Sequence, residues 1–303
     1  IALVSRFRDG VTRLTARASR HTTQRGIHLG DLMSKVAEQI GGEGGGHDGA
    51  AGWSGNTDRI TAEQHLQAGA SRVLFSQPAE SDVDETIVYG VNSDSLSAEM
   101  TVVSAASCTT NAVVPVLATL SHAVGIEAAT ITTIHSLMND QPVLDAYHHT
   151  DLRKTRAASQ SIIPVDTGLA VGIERILPDL SGKLSAHALR VPTTKVSAIE
   201  LTVATDRVCT SEDVNAALRT AAEGALAGVL DYSLEPLASC DFVGEAASAI
   251  VDAKQTQVAA GRLVKILIWF DNEWAYASRM IDVALAWQAK IASRSPTARG
   301  DVP

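Results

Sequence analysis

The run Ser107-Cys108-Thr109-Thr110-Asn111 sets one thiol among hydroxyls where a short apolar stretch, Thr101 to Ser104, gives way to a helical one. A thiolate at a helix N-terminus is favoured by the dipole and the unpaired amides, which can lower its pKa by one or more units from about 8.5. The flanking hydroxyls could bind an anion beside the sulfur. A cysteine in apolar surroundings is more often inert packing, so on the residues alone both readings of Cys108 stay open. A thiol nucleophile needs a base. His135 ends the β-branched run Ala128 to Ile134, and catalysts gather where parallel strands end. Cys209 and Cys240 lack such a setting and read as structural. His148-His149 hint at a metal, but no second ligand cluster supports one, and no metal site is expected.

Gly44-Gly45-Gly46-His47-Asp48-Gly49 formally fits the dinucleotide pattern G-x-G-x-x-G. That pattern binds a pyrophosphate only between a strand and a helix. Neither flank here reads as the required element, so the match is expected to be a chance one in a flexible tract.

The elements that must position Cys108 and His135 emerge from the apolar patterning. The 303 residues suggest roughly two domains. A hydrophobic share of 45% with mean hydropathy +0.08 is enough for a sizeable core and excludes a wholly disordered chain. A net charge of −9 argues against a general polyanion binder such as a nucleic-acid protein, while allowing small anion sites. Three cysteines fit a reducing compartment, here the cytoplasm, and no membrane span is read.

The averages hide a break. Eleven of the 22 glycines and the one basic cluster, six Arg against one acid in residues 1–30, lie within residues 1–55. This segment is expected to be poorly ordered, apart from one short helix over 31–40. Its start also has the composition of an organelle transit peptide, as any Arg-rich tail does. The chain opens on Ile1, which leaves room for an upstream start.

From residue 56 the pattern predicts a helix over 62–68 and strands over 72–76, 86–89 and 101–104. A helix over 111–124 has Pro115 in its first turn, and a strand follows over 128–134. Longer strands follow over 183–191, 196–204, 248–253 and 263–270, with helices over 211–227 and 274–288. Alternating elements followed by clustered strands read as α/β plus α+β: a partial nucleotide-type domain, then an α+β domain.

These motifs resemble the glyceraldehyde-3-phosphate dehydrogenase superfamily. Ser107 to Asn111 is similar to its active-site motif, and His135 follows at the spacing of its catalytic histidine. Arg190-Val191-Pro192-Thr193 resembles its phosphate-binding arginine segment. Trp269 to Trp274 resembles its nicotinamide-contact segment. The runs 132–141, 145–148 and 157–167 look like the branch that oxidises erythrose 4-phosphate. The likeness spans residues 56–288.

The resemblance implies an incomplete Rossmann-like nucleotide-binding domain with a catalytic domain of that superfamily's type. Residues 1–55 are atypical, 56–107 a remnant of the NAD-binding domain and 108–272 the catalytic domain. Residues 273–303 supply a C-terminal helix returning to the NAD-binding domain, then a tail. It further implies NAD as cofactor, a small sugar phosphate as the partner molecule, a homotetramer, and a place in pyridoxal phosphate synthesis. Cys108 and His135 would be catalytic. Ser107, Thr109, Arg153, Lys154, Thr167, Gly168 and Arg190 would hold substrate, and Ser76, Asn272 and Tyr276 the cofactor.

The implied reaction oxidises D-erythrose 4-phosphate to 4-phosphoerythronate through a thiohemiacetal and thioester on Cys108, released by water. The alternatives are a phosphorylating glyceraldehyde-3-phosphate dehydrogenase and an inactive chain, since the superfamily's opening dinucleotide fingerprint is missing. Two departures bear on the site. Met138 stands where phosphorylating members carry a hydrogen-bonding Thr, and Lys154 replaces an arginine, losing the bidentate fork.

Overall fold

The computed structural model describes residues 2–8, 11–17, 43–47, 50–55, 62–67, 69–79, 83–138, 141–146 and 151–294. The proposed helix over 31–40 and His148-His149 lie outside them. The chain divides into two units. One holds residues 1–77, 81–84 and 100–104, and the other holds 78–80, 85–99 and 105–303.

In the first unit, β1 (Ala2–Arg8), β2 (Val11–Arg17), β3 (Glu43–His47) and β4 (Ala50–Gly55) form an antiparallel sheet in the order β1-β2-β4-β3. Residues 1–55 therefore contain strands where a poorly ordered segment was expected. The register shows why composition misleads here. Arg8 pairs with Val11 and His47 with Ala50. In the sequence Asp9-Gly10 and Asp48-Gly49 lie between these pairs, and Asp-Gly is among the dipeptides that favour hairpins. Backbone pairing holds Gly44 to Gly46 whatever side chains they lack. The unit also carries α1 (Ala62–Gln67) and β5 (Val73–Phe75).

In the same unit β7 (Val102–Ser104) pairs in parallel with β5, while the two-residue strand β6 (Glu85–Thr86) belongs to the second unit. The second unit is built on a seven-stranded mixed sheet. Its strands are β8 (Ala128–His135), β9 (Ile163–Val165), β10 (Leu184–Arg190), β11 (Ser197–Ala204), β12 (Leu230–Ser233), β13 (Ala249–Ala259) and β14 (Leu263–Phe270). Their order is β12-β13-β14-β11-β8-β10-β9. Three helices, α2 (Cys108–Ala123), α3 (Leu169–Ile176) and α4 (Ser211–Glu223), contribute to its core. A fourth, α5 (Trp274–Arg294), closes the described chain.

Period-two patterning orients the sheet. In β14, Val264, Ile266, Ile268 and Phe270 are all buried, as are Ala129, Ile131, Thr133 and His135 in β8. The apolar members of these sets join Val113, Val116, Leu117 and Leu120 of α2 and Val214 and Leu218 of α4 in one core. His135 is thus the last residue of a buried strand face, and the alternation that buries Ile131 also turns its ring inward.

Helix α2 starts at Cys108, three residues earlier than the patterning indicates, so Pro115 lies inside it rather than in its first turn. The lost N–H there is offset by full burial of the surrounding helix face. Helix α5 belongs to the second unit and is tied to residues 85–99. Trp287 Nε1 donates to Ser97 O at 3.0 Å, and the Arg279 guanidinium lies 5.8 Å from the Tyr89 ring centre.

Among the described residues, no helix is long and apolar enough to cross a membrane. Nor does any group of three or more His, Cys, Asp or Glu side chains among them suit a metal ion.

Candidate active site

Cys108 opens α2 because Ser107 caps it. The Ser107 backbone is extended and its Oγ accepts from Thr110 N at 3.0 Å, with Thr110 Oγ1 a further 2.8 Å from it. The hydroxyl expected to hold substrate is therefore committed to the helix cap. The residue before it, Ala106, has φ of 57°, a left-handed conformation that costs a non-glycine residue roughly 1–3 kcal/mol. Two groups hold this turn. The buried Asn111 donates Nδ2 to Ala105 O at 2.8 Å and to Ser107 O at 2.9 Å, and Tyr276 Oη donates to Ala106 O at 2.8 Å. Burial also raises the Tyr276 phenol, so it stays a neutral donor.

Across this turn Cys108 Sγ lies 3.6 Å from His135 Nε2 and 3.9 Å from Thr109 Oγ1. The His135 ring is edge-on to Phe270, with centroids 6.2 Å apart. Its Nδ1 is 2.9 Å from Ser136 O and 2.7 Å from Arg190 Nη1. Arg190 reaches it because β10 runs parallel to β8 with Arg190 directly opposite His135. The strand pairing thus brings together two residues 55 positions apart.

Burial pushes the Cys108 thiol up from its ordinary value. The Thr109 hydroxyl and backbone and the Arg190 charge oppose the rise without cancelling it. This corrects the expectation of a lowered thiol: the helix amides act on a sulfur that the core has largely desolvated.

The sign of Arg190's effect gives a measurable result. Replacing its cation by the neutral amide in Arg190→Gln removes a stabiliser of the thiolate, so the Cys108 pKa rises further. The pH profile for iodoacetamide alkylation of Cys108 should move to higher pH, with slower reaction at any pH between the two midpoints. Buried Cys209 should stay unlabelled in both proteins, and exposed Cys240 should label at one unchanged rate. Mass spectrometry of the labelled peptides reads all three.

The other expected residues are spread out. Gly168 caps α3, where Thr167 Oγ1 accepts from Leu169 N at 3.2 Å. One turn on, α3 approaches the start of α2, since a Cβ at Gly172 would sit 3.8 Å from Thr110 Oγ1. Thr167 also follows β9, whose Ile163 pairs with Arg190. The 3-10 turn Leu152–Thr155 carries an exposed Arg153 and a half-buried Lys154 whose Nζ is 3.9 Å from Asp151 Oδ2. Ser76 is exposed in the first unit and lines a cavity of about 250 Å³ with His65 and Arg72.

Residues that the motif reading overlooked support the site from behind. Asn272 Oδ1 accepts hydroxyls from Ser136 at 2.9 Å and Ser197 at 3.0 Å, while Ser136 N donates to Ser197 Oγ at 3.0 Å. Both serines are buried. The adjacent Asp271 carboxylate accepts amides from Gly244, Glu273 and Trp274. Although burial raises it, those amides and Lys195 hold its pKa below the ordinary value. Ser136 was visible beside His135, but a serine has no chemistry to mark it. Ser197 is revealed only by the antiparallel pairing of β11 with β14, which sets it opposite Phe270.

A nicotinamide cofactor fits one end of this arrangement. The two serine hydroxyls occupy Asn272 Oδ1, which leaves Nδ2 to donate to a carboxamide oxygen. Gly44 to Gly46 lie in β3, and among the described residues no glycine-rich turn joins a strand to a helix in the first unit.

A mixed sheet backed by helices thus places a cysteine on a helix N-terminus 3.6 Å from a histidine that also touches an arginine. Residues 107–272, more than half of the chain, match the family described as glyceraldehyde 3-phosphate dehydrogenase, C-terminal domain. The chain belongs to this family, which supports an oxidoreductase acting on a phosphorylated sugar aldehyde. Residues 1–73 match a second family, the DHHA1 domain, so residues 1–55, expected to be atypical, and the first part of the expected remnant together resemble a different domain.

Proposed function

We propose that the chain oxidises a phosphorylated sugar aldehyde at Cys108, with D-erythrose 4-phosphate as substrate and 4-phosphoerythronate as product. The observation that carries this reading is the 3.6 Å approach of His135 Nε2 to Cys108 Sγ at the N-terminus of α2, with Arg190 beside it. Cys108 Sγ attacks the aldehyde carbon to give a thiohemiacetal, and His135 Nε2 takes the hydroxyl proton. Asn272 Nδ2 would hold the carboxamide of a nicotinamide, which would supply the hydride acceptor. The acyl group left on Cys108 is a thioester that water hydrolyses.

Arg190, Thr109 and the N-terminus of α3 at Thr167 and Gly168 provide the positive field for the substrate phosphate, with Lys154 and Arg153 as flanking cations. Met138 favours water over inorganic phosphate as acyl acceptor, because a thioether donates no hydrogen bond.

Among the described residues of the first unit no glycine-rich turn joins a strand to a helix, which favours a second reading in which this chain binds NAD poorly and is inactive alone. Calorimetric titration of NAD into the full chain separates the two. Reduced-nicotinamide formation should be faster with D-erythrose 4-phosphate than with D-glyceraldehyde 3-phosphate, and unchanged by inorganic phosphate. A rate that requires inorganic phosphate would establish the phosphorylating reaction instead. Absence of NAD binding would establish the inactive reading.

A further inference from the structure

His135 Nδ1 has two neighbours with opposite demands. Ser136 O, at 2.9 Å, can only accept a proton, and Arg190 Nη1, at 2.7 Å, can only donate one. A neutral imidazole carries one N–H and one lone pair, so Nδ1 satisfies only one of them at a time. The ring itself is buried and packed against Phe270, whereas Arg190 is a long, half-buried side chain at a strand end. The arginine is the more accessible of the two side chains, so an anion reaches it first.

We infer that Arg190 is a positioning residue that sets which nitrogen of His135 carries the proton, and that a bound tetrahedral anion reverses the setting. With the guanidinium on Nδ1, that atom is the acceptor and the ring proton sits on Nε2, facing Cys108 Sγ. The ring then donates a hydrogen bond to the sulfur and has no lone pair with which to act as a base. Protonating it in that state would set an Nδ1 lone pair already occupied by Arg190 beside a second cation 2.7 Å away.

When an anion draws Arg190 off, the neutral ring gives up the Nε2 proton to water and takes one at Nδ1, with no change of charge. Nδ1–H now donates to Ser136 O, and Nε2 presents its lone pair. It can accept the thiohemiacetal hydroxyl proton, and the resulting imidazolium is stabilised by the Ser136 carbonyl. Base catalysis is thereby withheld until the charged end of the substrate is in place.

This inference rests on the reading of Cys108 and His135 as the reacting pair, but its test does not use activity. The full chain is prepared with ¹⁵N-labelled histidine, and the His135 ring signals are identified by their loss in His135→Asn. Spectra are recorded well above the ordinary imidazole pKa of about 6.5, in the native chain and in Cys108→Ala, which removes any thiolate–imidazolium pairing. Inorganic sulfate is the probe.

Without sulfate, Nδ1 should give the signal of an unprotonated nitrogen and Nε2 that of an N–H. Saturating sulfate should exchange the two signals. Arg190→Leu should begin in the exchanged state and ignore sulfate. An Nδ1 already protonated in the anion-free native chain would overturn the inference. So would a ring that stays unchanged at high sulfate, whether or not sulfate binds. The titration of the native chain decides the matter even if Arg190→Leu does not fold. Should Cys108→Ala retain aldehyde oxidation, the proposed function falls while the tautomer result stands.

Discussion

Replacing Cys108 with alanine should abolish aldehyde oxidation, while Cys240→Ala leaves it unchanged. No other described thiol can substitute, since Cys209 is buried and Cys240 is exposed on a 3-10 turn with no histidine partner among the described contacts. His135→Asn keeps a similar shape at the strand end but removes the base. General base catalysis typically contributes about 10²–10⁴-fold, so kcat should fall by that order. The effect should be on kcat more than KM, because His135 acts on a proton and touches no other part of the substrate. Steady-state kinetics of the three variants make the check. Oxidation persisting in Cys108→Ala would remove the thiol from the reaction.

The second large effect is expected at Arg190. Arg190→Ala should raise KM for the phosphorylated aldehyde by about 10-fold or more, since a hydrogen bond to a charged group contributes roughly 1.5–3 kcal/mol. The corresponding aldehyde without its phosphate should be far less affected. Such a substrate cannot draw Arg190 away from His135, so loss of the guanidinium relieves the ring as well as removing a ligand. An equal loss on both substrates would assign Arg190 a purely structural role. Comparison of kcat/KM for the two aldehydes in native chain and variant reads the difference.

The strands that carry the site were largely legible. Runs over 263–270 and 196–204 match β14 and β11 closely, because β-branched and aliphatic residues alternate in them. The start of α4 was legible too, since Thr210 and Asp213 form the capping box their spacing suggests. Three other elements carried weaker signals. β9 contains Pro164 and spans three residues, β12 spans four, and α3 is one eight-residue helix after Gly168. None is long enough for its periodicity to stand out. The hairpins of residues 1–55 were missed for a different reason. Glycine and arginine composition outweighed Asp9-Gly10 and Asp48-Gly49, the local signals that mark two-residue loops.

By itself the sequence determined the local chemistry: a thiol where a strand gives way to a helix, and a histidine at the end of a β-branched run. These follow from short-range patterning, which depends only on neighbouring residues. Tertiary structure decided the rest. Burial sets the direction of the Cys108 pKa against the helix amides, and desolvation depends on everything packed around the sulfur. The parallel register of β8 and β10 places Arg190 on His135, and the pairing of β11 with β14 sets Ser197 opposite Phe270, two residues before Asn272. A strand's register is set by its partner and the face it buries. Contacts between residues 55 and 75 positions apart therefore exist only once the sheet has formed.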